Sequence, residues 1–365
     1  MDAIGRQLAT LGADVIAFQE VWLDASRDSL VLAGRAAGLE HSWSRDAALG
    51  GSGLLVLSRL PIREATFEAF AIRAVPEGLR HIDFLGGKGF AYLRLDAGGT
   101  PVGFLTTHLQ ARYRRDVEHE YRAHRTGQVV QLALRVRGWA EPCIAAGDFN
   151  FQEGDPEYRV LTGLTGWRDA AAALDRREPT VQAASPYRDD QKADARKDLI
   201  LTGAGASFEL KLQAVRRVFD ADLEFDGEAG SYSNHAGVLA EVELAPRAAA
   251  GARRPDLDPE AVALAIGLLE EGRRGAERRR RNSRAWAGIG LGGAALAAVG
   301  VRRLCVSRRR LLRLSLTSAA LAGLTPGVAL SILSEVYVPD EIRAFDALAA
   351  GLTDGARGRG QAVLA

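Results

Sequence analysis

Two long uncharged stretches near the C-terminus set the strongest limit on how this chain can fold. Residues 285–301 form one run of 17 uncharged residues, and residues 314–333 form a run of 20. A helix needs about 20 apolar residues, within a range of about 17–25, to cross the hydrocarbon core of a bilayer. The second stretch has this length, whereas the first is marginal and rich in Gly and Ala. We therefore expect a membrane-associated helical hairpin, with a pair of buried core helices as the alternative.

Arginine clusters border both stretches. Arg278–Arg281 precede the first stretch, and a second group lies between the two: Arg302, Arg303, Arg308, Arg309, Arg310 and Arg313. Near a bilayer surface each Arg attracts anionic lipid head groups by about 1 kcal/mol. The clusters are candidate anionic-lipid sites, with ordinary charged flanks of membrane helices as the alternative. Because a hairpin places the clusters on opposite sides of the bilayer, the positive-inside rule does not fix the orientation.

The first 245 residues alternate between strand patterns and helical patterns. Strand patterns occupy residues 14–18, 52–58, 62–71, 91–95, 102–107, 143–146, 198–202 and 238–244. Helical patterns occupy residues 1–13, the stretch up to about 38, and 116–138. Strands with intervening helices predict an α/β sandwich.

This pattern divides the chain into four segments. We expect a folded domain over 1–245, a linker and basic helix over 246–284, two hydrophobic helices over 285–335 and a C-terminal tail over 336–365. The formal net charge is +1, which does not indicate a nucleic-acid partner. Two cysteines are too few for a disulfide framework, which excludes the small disulfide-stapled class.

Polar side chains of catalytic type stand at the ends of the predicted strands. They are Glu20 after the first strand, His108 at the end of another, Asp148 and Asn150 after the apolar run 143–146, Asp198 at the start of a strand and His235 before the last. Metal-dependent cleavage of a phosphodiester requires carboxylates for a hard cation and a base oriented by a carboxylate. It also requires donors for the charge that grows on the phosphoryl oxygens. The set contains each of these groups.

Each of these residues has a simpler explanation when it is taken alone. Glu20 is then a solvated carboxylate, His108 a structural hydrogen-bonding residue and Asp198 a charge at the start of a strand. Asp148 and Asn150 are two positions apart, so on an extended segment both side chains point to one side and reach one phosphate. An Asx turn is the alternative for this pair.

Taken in order, the motifs resemble the endonuclease/exonuclease/phosphatase superfamily over residues 1–245. The motifs are Gln19-Glu20, Thr107-His108, Gly147-Asp148-Phe149-Asn150, Asp198 before an apolar strand, and Ser233-Asn234-His235. Further segments are similar to the neutral sphingomyelinase branch, of the membrane-bound animal type: Glu20-Val21-Trp22, 51–54, 58–62, 87–89, 107–113, 123–125 and the hydrophobic tail. The resemblance implies a four-layer α/β sandwich of the DNase I type, followed by the hydrophobic hairpin. It also implies that Gly87-Lys88-Gly89 is a turn near the substrate entrance.

The resemblance also implies roles for the site residues. Glu20 would bind the metal, Mg²⁺ or alternatively Mn²⁺, with Asn234 and Asp148 as further candidate ligands. Asp148 would also position the attacking water or the metal-bound phosphate, and Asn150 would bind a phosphoryl oxygen.

The two histidines receive different roles. His235 would be the general base, with its ring held by Asp198. His108 would bind the phosphate and stabilise the transition state or help the leaving oxygen.

The implied activity is hydrolysis of sphingomyelin, or of a related choline lysophospholipid, to ceramide and phosphocholine. The implied location is a membrane, through a hairpin or multiple spans, with the catalytic domain in the cytoplasm. A nuclease or an inositol- or sugar-phosphate phosphatase on the same fold is the alternative, although nucleic acid is the less expected substrate because of the tail. An inactive membrane-tethered homologue is a third hypothesis.

Two departures from the family pattern bear on activity. The family begins with a strand that carries an Asn beside the metal, and here the sequence begins at the helix after it. We expect the true start codon to lie further upstream, with a natural truncation as the alternative. Asn234 stands where the family usually has Asp; it keeps the shape but loses the charge, and a charge-assisted hydrogen bond is about twice as strong as a neutral one. We expect lower activity or an altered metal requirement as a result.

Overall fold

The computed structural model describes residues 2–45, 52–73, 87–113, 119–181, 194–225, 228–247, 257–304 and 310–356. The chain divides into two compact units. The first comprises residues 1–266 with 351–365, and the second comprises residues 267–350.

The first unit contains five helices and thirteen strands within the part of the chain just given. The helices are α1 (Asp2–Leu11), α2 (Asp24–Ala36), α3 (Arg122–Val136), α4 (Pro156–Thr165) and α5 (Ala170–Ala173). The first seven strands are β1 (Val15–Phe18), β2 (His41–Ser44), β3 (Leu55–Ser58), β4 (Ile62–Ala69), β5 (Gly89–Ala97), β6 (Thr100–His108) and β7 (Cys143–Asp148). The others are β8 (Arg168–Asp169), β9 (Asp198–Gly203), β10 (Phe208–Val218), β11 (Leu223–Phe225), β12 (Glu228–Gly230) and β13 (Gly237–Pro246).

Two sheets packed face to face form the centre of this unit. A three-stranded sheet has the order β1-β3-β2, and a six-stranded sheet has the order β4-β5-β6-β7-β9-β8. Val56 on β3 packs with Leu93 on β5 and Phe104 on β6, which forms the core between the sheets. The next residues of β3, Leu55 and Leu57, point the other way because side chains alternate along a strand.

Helices cover the outer faces of the two sheets. Leu55 and Leu57 pack with Leu8 of α1 and Leu30 of α2. On the far side, Gln131 of α3 donates a hydrogen bond to the carbonyl of Ala69 in β4, and α3 packs on α4. The succession helix, sheet, sheet, helix confirms the predicted α/β sandwich.

Several boundaries differ from the sequence-based expectations. The predicted hairpin of residues 91–95 and 102–107 is present, as β5 and β6 joined at Gly98 and Gly99, whose φ angles of +64° and +91° fit a two-residue turn. The helix predicted over 116–138 begins only at Arg122, after Tyr121 at φ +55°, and residues 114–118 lie outside the described residues. Strands β2, β8, β10, β11 and β12 were not predicted.

The second unit is helical, and two of its helices extend in sequence beyond its bounds. Helix α6 (Pro259–Leu304) is continuous from the basic segment through the first uncharged stretch, and α7 (Arg310–Ile332) contains most of the second. A π-helical turn (Leu333–Tyr337) leads into α8 (Val338–Ala356). Helix α6 begins, and α8 ends, at residues assigned to the first unit. Windows in these helices reach mean hydropathies of 1.3 and 1.6, and only 17% and 11% of each window is buried. A soluble core helix would be mostly buried, so length, composition and exposure favour membrane helices over core helices.

Glycines bring α6 and α7 into close contact. A Cβ atom at Gly290 would lie 3.0 Å from the carbonyl oxygen of Gly323, and one at Gly323 would lie 2.7 Å from that of Gly290. Gly327, four residues after Gly323, lies against Leu291. Close approach through small residues four apart is a packing mode of membrane helices, where lipid removes the hydrophobic drive for association.

Part of the first arginine cluster is engaged within the chain. Arg280 donates to the Ser334 carbonyl at 3.0 Å, and Arg279 pairs with Glu341 on α8. The neighbouring Arg284 makes two bonds to Glu335, of 2.5 and 2.7 Å. These internal pairs weigh against lipid binding by Arg279 and Arg280. Of the second cluster, Arg308 and Arg309 lie outside the described residues.

Candidate active site

Three of the predicted site residues form a row across the six-stranded sheet. His108 ends β6, Asp148 ends β7 and Asp198 begins β9. The register pairs His108 with Asp148 across the parallel β6–β7 ladder, and Asp148 with Asp198 across the antiparallel β7–β9 ladder. Side chains directly opposite each other on adjacent strands lie on one face and in contact range. The sheet therefore brings one imidazole and two carboxylates to one edge.

Asp148 and Asn150 are held together by a turn that follows β7. Asp148 Oδ1 accepts a hydrogen bond from the Asn150 backbone N–H at 2.8 Å, and the Asn150 Nδ2 donates to Asp148 Oδ2 at 3.2 Å. Asn150 has φ +55°, which Asn tolerates better than most residues. The Asx turn offered as the alternative is thus present. The two side chains meet because of this turn, since Asn150 lies beyond the end of the extended strand.

A glycine allows this edge to form. Gly147 lies so close to β6 that a Cβ atom there would be 2.1 Å from the Thr107 carbonyl oxygen. Any larger residue would push β7 away from β6. Asp148 and His108, the next residue on each strand, would then lose their alignment.

His235, which lies just before β13, is paired with Asp198. His235 Nδ1 lies 2.9 Å from Asp198 Oδ2, and both side chains are largely buried. Ser233 Oγ accepts the His235 backbone N–H at 3.2 Å and donates to Asn234 Oδ1 at the same distance. Asn234 itself is exposed and turned toward Ser233. The structure thus brings together His235 and Asp198, whereas the described contact of the Asn234 side chain is with Ser233.

Glu20 reaches the site from the other sheet. It follows β1 in the left-handed region, at φ +60°, and its side chain is 64% exposed. Its Oε1 lies 3.9 Å from His108 Nε2, and Asp148 Oδ2 lies 3.6 Å from the same nitrogen. His108 is therefore flanked by two carboxylates on its Nε2 side, while its buried Nδ1 has no hydrogen-bond partner among the described residues.

The buried charges shift three pKa values. Burial, with the nearby charges of Lys88, His235 and Lys197, holds the pKa of His108 well below its usual range, so its ring is neutral. Burial, followed by the neighbouring Asp198 charge, raises the pKa of Asp148 to about 6. Burial lowers the pKa of His235, but the hydrogen bond and charge of Asp198, with help from Asp148, outweigh it and raise that pKa to about 9.

Lys88 is a site residue that sequence analysis placed only in a turn. It is 4% exposed, and its Nζ donates to the Leu109 carbonyl at 2.7 Å. The same carbonyl accepts Asn150 Nδ2 at 3.0 Å. A buried ammonium thus shares an acceptor with the phosphate-binding candidate. The sequence pointed to Lys88 only through its position between two glycines at the start of β5. The burial of Lys88 depends on the tertiary fold, so the sequence could not predict it.

The donor set suits a hard divalent cation. Ligand atoms of Asp148, Asp198 and His235 lie within 4.8 Å of one another. However, the lone pair or proton of His235 Nδ1 is already directed at Asp198, which favours the interpretation of these two as a proton-transfer pair. Asp148 and Glu20 remain as carboxylates that lie 3.6 and 3.9 Å from His108 Nε2. Mg²⁺ is typically held by one or two carboxylates with several waters, and this pair fits that requirement.

Solved structures share the fold of the first unit. The beta toxin of Staphylococcus aureus is 18% identical with a TM-score of 0.52, and the match covers 66% of this chain and 90% of the toxin. The D. rerio TDP2 complex with a single-strand DNA product is 17% identical with the same TM-score and the same coverage. At this identity the likeness concerns the fold alone.

Curated relatives are more similar in sequence. A Drosophila melanogaster protein whose name assigns it to the neutral sphingomyelinases is 31% identical over 252 residues, which cover 67% of this chain and 56% of that protein. Human sphingomyelin phosphodiesterase 2 is 33% identical over 123 residues, or 33% of this chain and 29% of the human protein. The Saccharomyces cerevisiae inositol phosphosphingolipids phospholipase C is 28% identical over 163 residues, covering 43% of this chain and 34% of the yeast protein. The matches therefore span from about a third to just over half of these relatives.

A family model matches most of the first unit. The model describes the Endonuclease/Exonuclease/phosphatase family and matches residues 1–234, which include every site residue up to Asn234. The chain belongs to the endonuclease/exonuclease/phosphatase family.

Proposed function

We propose that this protein is a Mg²⁺-dependent phosphodiesterase that hydrolyses sphingomyelin to ceramide and phosphocholine, or a related choline lysophospholipid to its lipid alcohol and phosphocholine. The observation that carries the proposal is the juxtaposition of Asp198–His235 with Asp148 and Asn150 at one sheet edge. Similarity to proteins named as sphingomyelinases supports the choice of a sphingolipid over other phosphodiesters.

The Asp198–His235 pair would move the proton of the attacking water. Because Nδ1 faces Asp198, Nε2 is the ring nitrogen that exchanges a proton with solvent. The water oxygen attacks phosphorus while His235 takes its proton. The bond from phosphorus to the ceramide oxygen breaks, and that oxygen takes up a proton to give the ceramide hydroxyl. Phosphocholine leaves with the oxygen that came from water.

The pKa of His235 limits when it can act as a base. A pKa of about 9 keeps the ring protonated at neutral pH, and a base must be neutral before it accepts a proton. A divalent cation held by Asp148 and Glu20 would supply positive charge that polarises the phosphate and lowers the pKa of His235. We therefore expect the activity to depend on a divalent cation.

The other side chains would bind the phosphate. Asn150 would exchange its 3.2 Å bond to Asp148 for a phosphoryl oxygen, while its bond to the Leu109 carbonyl keeps the amide in place. His108, being neutral, would donate a hydrogen bond instead of a full positive charge. Lys88, fixed on the same carbonyl, would add a positive charge behind the phosphate.

The helical unit would anchor the enzyme to the membrane that contains its substrate. Exposed apolar side chains on α6 and α7 include Trp286, Ile289, Leu296, Leu321 and Val328. Helices with such surfaces are stable in lipid and unfavourable in water. We propose a hairpin anchor, with the first unit on the cytoplasmic side.

The test is release of phosphocholine from sphingomyelin in mixed micelles by the full-length chain. We expect release with Mg²⁺, none with EDTA, and loss in His235→Ala but not in His41→Ala, a control histidine on β2. A parallel chain extended upstream of Met1 tests whether an additional strand raises the rate. Cleavage of DNA or of inositol phosphates in place of sphingomyelin would contradict the proposed substrate. Inactivity of both chains on all three substrates would favour an inactive tethered homologue.

A further inference from the structure

A short extended segment, Thr180–Val181, lies between the backbone stretch that leads into Asp198 and the one that carries His235. The backbone N–H groups of both residues donate to the Ala195 carbonyl, at 2.9 and 2.8 Å. Val181 also forms a bridge with His235, and the Thr180 carbonyl accepts the Ala236 N–H at 2.8 Å. The segment thus connects the chain that leads into Asp198 with the chain that carries His235.

The Thr180 hydroxyl adds a contact that, among side chains of this size, only Thr or Ser could make. Its Oγ1 accepts the backbone N–H groups of Lys197 at 3.1 Å and Asp198 at 3.3 Å. Thr180 is 1% exposed, so water cannot replace this acceptor easily. Buried N–H groups without a partner are strongly disfavoured, which makes the hydroxyl a firm constraint on the start of β9.

The constraint extends to the other side of the site. The Lys197 carbonyl accepts the Phe149 N–H at 3.0 Å, and Phe149 lies between Asp148 and Asn150 in the Asx turn. Through Lys197, the Thr180 hydroxyl is therefore connected to the turn that holds the phosphate-binding candidates.

We propose that Thr180 is the positioning residue that fixes Asp198 against His235, an inference that rests on the proposed function of this pair. Thr180 would act through the backbone, to which its hydroxyl is bonded. Its hydroxyl holds the backbone from which the Asp198 carboxylate projects, and its carbonyl holds the backbone next to His235. A displacement of about 1 Å at a catalytic group costs about 100-fold in rate, so loss of the hydroxyl should lower kcat by about 10- to 100-fold with little change in KM.

The test compares Thr180→Ser with Thr180→Ala. Both variants lack the methyl group, and they differ only in the hydroxyl, so any shared loss of packing cancels. Thr202→Val is a control on β9, where the hydroxyl makes no hydrogen bond among the described residues. We expect Thr180→Ser and Thr202→Val to keep kcat within about threefold and Thr180→Ala to lose about 10- to 100-fold.

Amide hydrogen exchange provides a readout independent of activity. The Lys197 and Asp198 amides should exchange faster in Thr180→Ala than in Thr180→Ser, whether or not sphingomyelin is the substrate. If the two amides exchange faster in Thr180→Ala but the wild type does not cleave sphingomyelin, the proposed function is overturned. The link between Thr180 and Asp198 is then upheld. Equal exchange in the two variants, or equal kcat values with a measurable wild-type rate, would overturn the positioning role.

Discussion

Replacing Asp198 with Asn removes the charge that holds His235 protonated. Asn has nearly the same size, so the change tests charge more than packing. In the wild type, burial opposes protonation of His235, and the hydrogen bond and charge of Asp198 are the largest contributions that favour it. In Asp198→Asn only the weaker contribution of Asp148 remains against burial.

The size of the effect follows from the pKa of about 9. Relative to the ordinary histidine value of about 6.5, at about 1.36 kcal/mol per pH unit, the site favours the protonated ring by about 3 kcal/mol. Without the Asp198 charge, we expect the pKa of His235 to fall to about 6.5 or lower. A group with a raised pKa stabilises the fold fully below its unfolded value and loses this effect as the pH rises through its folded value. The destabilisation by Asp198→Asn should therefore be largest below about pH 6.5 and disappear above about pH 9.

The assay is an NMR titration of the histidine ring C–H groups in metal-free protein with EDTA. His235→Gln identifies the resonance among the six histidines. Asp96→Asn, near the end of β5 where it pairs with Pro101, is the control for a lost carboxylate and should leave the pKa of His235 near 9. A pKa near 9 in Asp198→Asn would refute the electrostatic account of the pair.

Three further predictions concern the phosphate, the family departure and the hairpin. Asn150→Ala should lower kcat for sphingomyelin by about 100-fold, as loss of one donor to a charged transition state typically does; a loss confined to KM would contradict its role. Asn234→Asp should raise the Mg²⁺-dependent rate by restoring the charge usual in the family, and an unchanged rate would show that the exposed side chain is unimportant. Gly290→Leu should lower the thermal unfolding temperature in detergent micelles because it collides with Gly323, whereas Gly292→Leu, which meets open space, should not; equal effects would argue against the helix contact.

The sequence predicted the strand ends because each one is marked by a change from apolar to polar residues. His108, Asp148 and Asp198 all stand where such a change occurs. Their alignment in one row depends on the order β6-β7-β9 and its register, which involves residues up to 90 positions apart (from 108 to 198). Motif order from the family resemblance supplied this information, since local patterns contain none of it.

Other features depend on tertiary contacts that no local pattern contains. For Asp148 and Asn150 the sequence left two explanations open, the strand pleat and an Asx turn, and a left-handed Asn150 in an Asx turn brings them together. The sequence around Lys88 predicted only a turn. The burial of Lys88 and its bond to the Leu109 carbonyl depend on the packed loop after β6. Strand β10, which pairs with β13 in a two-stranded ladder, was missed although its polar and apolar residues alternate, a pattern that itself indicates a strand.

Oxygen-isotope transfer during sphingomyelin cleavage tests the central claim most directly. The full-length chain is incubated with sphingomyelin micelles and Mg²⁺ in ¹⁸O-labelled water, and both products are analysed by mass spectrometry. Attack of water on phosphorus, with His235 as base, predicts one ¹⁸O atom in phosphocholine and none in ceramide, with both products lost in His235→Ala. Label in the ceramide hydroxyl, or undiminished cleavage by His235→Ala, would contradict the account.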